Sequence, residues 1–135
     1  MYELIKNICL NNNYVFEYSR NDYSNLFNEN EQIGTPHIFL DPIQLQTIFN
    51  EFNEEESTIY NGSFMVLVSS DVDDEDYEFK YQNYIKPIIT TTMKTIKDAI
   101  KCDGEKTIQL WQQIEVVNVF DYNFDGLLVT YSITE

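Results

Sequence analysis

The residues best spaced for chemistry sit near the C-terminal end, in Asp121-Tyr122-Asn123-Phe124-Asp125-Gly126. A calcium loop begins this way, because alternate oxygen side chains point inward and a Gly at the sixth position takes the sharp turn. The second half departs from that pattern. The twelfth position, where a bidentate Glu belongs, is Ser132, and both flanks read as strands where helices are needed. The competing reading is a hairpin turn whose Asp and Asn bond their own backbone; it is the expectation here, with calcium at Asp121, Asn123 and Asp125 set against it.

A second cluster is Asp71, Asp73, Asp74, Glu75 and Asp76, five carboxylates within six residues. Mutual repulsion favours a solvated loop there, and the last of the five is placed to cap a following helix. His37, the only histidine, heads a strand beside Pro36 and has no Ser or Cys nucleophile motif to pair with, so a structural role is expected. Cys9 and Cys102 lie far apart with no metal spacing around either, and read as two reduced thiols. Four glycines form no phosphate loop, and nothing singles out two of the 23 acids as an acid and base pair. No catalytic residue, metal or cofactor is expected.

The elements that must position these residues follow from patterning. Leu4, Ile5, Ile8 and Cys9 repeat at helical spacing in a short helix over 2–11, which the run Asn11 to Asn13 stops. Tyr14 to Tyr18 alternates as a half-buried strand does. The polar, Asn-rich stretch from Ser19 to Thr35 carries Tyr23, Leu26, Phe27 and Ile33 without a period, and loops of that length usually serve a partner or ligand. Strands are expected over 37–41 and 43–52, with Pro42 marking a bend or an edge, and Glu54 to Glu56 as a turn. Residues 60–70 read as a central strand covered on both faces. A helix over 77–102 follows, from apolar residues at steps of three and four, with Pro87 as its discord and a kink expected there; Gly104 closes it. Strands over 108–120 and 127–133 form a final hairpin turning at Asp125-Gly126. Trp111, with Leu110 and Ile114, reads as core or as an anchor at a subunit interface.

The fold expectation is α+β, a mostly antiparallel sheet with one long helix packed on a face and a short N-terminal helix, in a single domain over 1–135. The chain has 8 basic against 23 acidic residues and a net charge of -15, with 43% hydrophobic residues, enough apolar area for a core beneath an acidic surface. One arginine and seven scattered lysines exclude a basic nucleic-acid binder. No targeting signal or membrane span is expected, because no apolar run approaches the ~18 residues that a span needs.

Four features together resemble a known family: the short helix Leu4 to Leu10, the segment Thr35-Pro36-His37-Ile38-Phe39-Leu40-Asp41-Pro42, the long helix after an acidic loop, and the closing hairpin from Phe120 to Ile133. Their order is similar to that of the small tail-terminator and tail-completion ring proteins of bacteriophages, including connector rings at the head–tail junction. The resemblance implies a non-catalytic virion subunit in a closed homo-oligomeric ring, six-fold or twelve-fold, stacked against portal, adaptor or tail tube proteins. It also implies contacts between neighbours through extended loops and sheet edges, which would give Tyr23, Leu26, Phe27 and Ile33 of the arm, and Trp111, a place at the subunit interface.

Charge bears on the same reading separately. A passage lined by carboxylates repels phosphate and lets DNA through without binding it, so Asp71, Asp73, Asp74, Glu75 and Asp76 are expected to face a lumen. The alternative of another class is a small acidic DNA mimic that inhibits a host nucleic-acid-binding protein, whose carboxylates would run in a stripe along an elongated monomer. A calcium-binding module is the third.

Overall fold

The structure, a computed structural model, describes residues 1–18, 34–69, 76–119 and 124–135. Helix α1 (Tyr2–Asn12) buries Ile5, Ile8 and Cys9 along one side and ends where Asn13 takes a left-handed φ of 57°, a conformation that Asn tolerates better than most residues. Strands β1 (Val15–Tyr18), β2 (His37–Leu40), β3 (Gln44–Phe49) and β4 (Glu55–Ser69) come next. A long helix, α2, runs over 77–102, and β5 (Thr107–Val119) and β6 (Phe124–Thr134) close the chain. The order of helices and strands is the expected one, and the class is α+β with a mixed, mostly antiparallel sheet of six strands.

Strand β4 is the axis of the sheet. Along one edge it pairs antiparallel with β3 through its first half and with β2 through its second, and Pro42 is the bend between those two partners. Along the other edge it pairs antiparallel with β6, and β5 then pairs with β6 on the outside. Among the described residues the one parallel pair is β1 with β2.

Alternation sorts the side chains onto two faces. Ile38, Leu40, Phe64, Val66, Leu127, Val129 and Ile133 face the helices and pack with Ile5 and Ile8 of α1 and with Ile85, Ile88, Met93, Ile96 and Ile100 of α2. Each such side chain, fully buried, contributes about 1.5–3 kcal/mol, so this layer is what holds α2 down. On the opposite face Phe39, Met65, Leu67 and Phe124 form a second, smaller buried cluster.

Pro87 does not end α2. Its ring has no N–H to give and crowds the carbonyl four residues back. The helix accommodates this with two wider π turns, Tyr81–Ile85 and Ile88–Thr92, in which the N–H of Lys86 reaches the carbonyl of Tyr81 and that of Met93 reaches Ile88. The irregularity expected at Pro87 therefore takes the form of a π turn on either side. Asp76 caps the N-terminus, its Oδ1 accepting the Glu78 N–H at 3.0 Å, and Gly104 follows the C-terminus with φ +74°.

Two turn expectations are corrected. The β3–β4 turn lies over 50–54, not at Glu54 to Glu56: Asn50 Oδ1 accepts the N–H groups of Phe52 and Glu54 at 2.9 and 3.0 Å, and Asn53 takes φ 63°, so β4 already starts at Glu55. Asp125-Gly126 is not a turn either. Both residues lie inside β6, opposite Val68 and Leu67 of β4, and Gly126 is needed because a Cβ there would meet the Val66 carbonyl oxygen at 2.0 Å.

Candidate subunit interface

The two outermost long strands, β3 and β5, share an unusual composition for so acidic a chain. Residues 42–50 and 107–114 contain no charged side chain. Central strands lack charge because they are buried, but these two are exposed. Leu45 (61%) and Phe49 (53%) on β3, Phe52 (74%) in its turn, and Leu110 (43%) and Ile114 (61%) on β5 stand in solvent. Sheet edges are normally protected by Lys, Pro or inward charges, and here Gln, Thr and large apolar residues take those places. Among the described residues β3 pairs with β4 alone and β5 with β6 alone.

Trp111 straddles the two roles that its sequence context allows. Its ring meets Phe64 edge-on, with centroids 5.7 Å apart, while its Nε1 donates to Gln113 Oε1 at 2.9 Å on the surface, and the residue is half-buried. The pairing of β5 with β6 puts Trp111 beside Tyr131 on the helix face, and Leu110 and Ile114 beside Ser132 and Leu128 on the other. Leu110 and Ile114 are therefore not core, as sequence grouping with Trp111 suggests; alternation separates them from it.

The other expected sites divide between described and undescribed residues. Tyr23, Leu26, Phe27 and Ile33 of the arm, and Asp71, Asp73, Asp74 and Glu75 of the acidic run, lie outside the described residues, as do Asp121 and Asn123. Asp76 is exposed at the mouth of α2. Asp125 is fully buried on the helix face, where its Oδ2 lies 3.4 Å from Nζ of Lys80, itself 1% exposed. Its carboxylate thus faces α2. Among the described residues no three His, Cys, Asp or Glu side chains gather as a ligand set.

No family model, curated protein or solved structure matches this chain. The assignment of a role therefore rests on what the residues themselves present.

His37 is buried, with its Nδ1 2.8 Å from the Thr35 carbonyl, so that Nδ1–H donates. It stacks on Phe39 and leans on Phe124, at centroid distances of 6.3 and 5.1 Å, which makes it part of the smaller core. Burial pushes the Cys9 thiol up to about 12, leaving it a packing residue. No helix is long and apolar enough to cross a membrane among the described residues.

Sequence reasoning overlooked the exposed Leu45, Phe49 and Phe52, and named Leu110 and Ile114 only with Trp111, as core or as an interface anchor. A signal was there: two charge-free stretches, 42–50 and 107–114, in a chain of net charge -15. What sequence could not supply was which strands end up outermost.

Proposed function

We propose that the chain is a structural virion subunit that self-associates into a closed ring of the tail-terminator, tail-completion or head–tail connector kind, through which DNA passes. The observation that carries this reading is the exposure of large apolar side chains on β3 and on the 107–114 part of β5, stretches without a charge in a protein with net charge -15. Like charge keeps copies apart in solution, so contacts between copies need surfaces from which charge has been removed, and β3 and β5 supply two. The α+β fold agrees with what the resemblance implies. Carboxylates from Asp71 to Asp76 then serve a lumen that repels phosphate, and the partners above and below are portal, adaptor or tail tube proteins.

A DNA-mimic decoy is served less well by this surface. Such a protein works as carboxylates presented in order, and exposed Leu45, Phe49, Phe52 and Ile114 contribute nothing to that. Negative-stain electron microscopy of the purified protein tests the choice: discrete rings with a central hole support the ring, and a field of single small particles at every concentration overturns it. Because each copy adds the same negative charge, rings should also dissociate as ionic strength is lowered.

A further inference from the structure

We propose that neighbouring copies join edge to edge, β5 of one copy pairing antiparallel with β3 of the next, so that one continuous sheet runs around the ring. The inference rests on the ring reading and specifies its interface. Four observations lead to it.

The first is position. Along the path β3, β4, β6, β5 the two strands lie at opposite edges of the sheet, so each copy offers two different edges, as a head-to-tail contact requires. The second is direction. Every step of that path is antiparallel, so β3 and β5 run in opposite senses, and a copy added in the same orientation sets its β3 antiparallel to the β5 it meets.

The third is chemistry. The regular part of β3, Gln44 to Ile48, and the stretch of β5 from Leu110 to Ile114 are built from Gln, Thr and large apolar side chains. Leu45 and Trp111 belong to the helix face, while Ile48, Leu110 and Ile114 belong to the other, so from Leu110 to Ile114 both faces of β5 offer uncharged side chains to β3, and Glu115 marks where that stretch ends. The fourth is exclusion of the remaining edge. Strand β1 is four residues long and carries Glu17.

The geometry adds a constraint. Strand β3 flanks the first half of β4, whereas Ile114 sits level, through Leu128, with Met65 in the second half. The registers set Leu45, through Tyr60 and Ile133, level with Ile108, so for Ile114 to meet β3 the next copy is shifted along the strands, and a shift of that kind is what closing a sheet on itself requires.

Two single variants test this, Leu45→Glu and Ile114→Glu, at positions more than half exposed so that folding is preserved, as circular dichroism and thermal melting would verify. Sedimentation velocity at high protein concentration should find wild type as rings and each variant alone as monomer. An equimolar mixture should form a dimer and nothing larger, because the intact β5 of Leu45→Glu meets the intact β3 of Ile114→Glu. Dimers of Leu45→Glu alone would mean that β5 pairs with itself, and overturn the proposal. So would rings that persist in both variants, or a mixture that stays monomeric, while wild-type rings leave the ring reading standing. Wild type that is monomeric throughout overturns both.

Discussion

Lys80 Nζ lies 3.4 Å from Asp125 Oδ2 with both side chains withdrawn from solvent, an ion pair that ties the first turn of α2 to the end of β6 beside β4. Two charges are expensive to bury, and removing one partner takes away an opposite charge that offsets this cost for the other. Lys80→Met and Asp125→Leu should each lower unfolding free energy by about 3–5 kcal/mol, and the double variant should recover most of that loss. Chemical denaturation of the four proteins in the cycle measures it. Additive losses would show that the pair does not act as a unit.

The pair also shows where sequence stops being informative. Lys80 falls on the apolar stripe of α2, one helical step before Tyr84, and Asp125 falls on the same alternating row as Leu127, Val129 and Tyr131. Residue type argues for solvent at both positions, the sequence reading sets Asp125 in a turn, and only the tertiary fold brings the two charges together. Element order, the cap at Asp76 and the stop at Gly104 were legible because each depends on residues within one turn of itself. Asp125-Gly126 misled because the same dipeptide serves a tight turn or a close backbone approach, and the choice depends on Val66, some sixty residues away in the chain. The subunit interface was legible only as composition, since edge position is a property of the assembled sheet.

Gly126 and Tyr131 give opposite expectations on the same strand. Gly126→Ala drives a methyl into the backbone of β4 and should cost about 3 kcal/mol or more, read as a lowered denaturation midpoint. The Tyr131 hydroxyl is buried with no hydrogen-bond partner among the described residues. Tyr131→Phe removes that stranded group and should be neutral or stabilising by up to about 1 kcal/mol. A loss of more than that would reveal a partner for the hydroxyl.

Glu17 should make stability depend on pH with a defined sign. Burial holds its carboxyl above the ordinary value of 4.5, so the folded state disfavours its charged form. Ionised Glu17 therefore lowers stability at pH values above its folded pKa, and this loss fades as pH falls through that pKa and is gone below 4.5. Glu17→Gln should melt higher than wild type at pH 7, with the difference vanishing at pH ~4. Equal melting temperatures at pH 7 would contradict it.

The two thiols should differ sharply in reactivity. Cys102 is exposed, while Cys9 is fully buried and its thiol raised by that burial. Iodoacetamide at pH ~8 should label Cys102 alone in the native protein and both after denaturation, as peptide mass spectrometry would record. Native labelling at Cys9 would mean that α1 opens away from the sheet.

Self-association around a passage is the claim to which the rest of the functional account is tied, and native mass spectrometry at moderate ionic strength addresses it most directly. One dominant closed assembly, six or twelve copies with no ladder of intermediates, is the expected result. A spectrum holding only the 16.0 kDa chain up to the highest attainable concentration would contradict it.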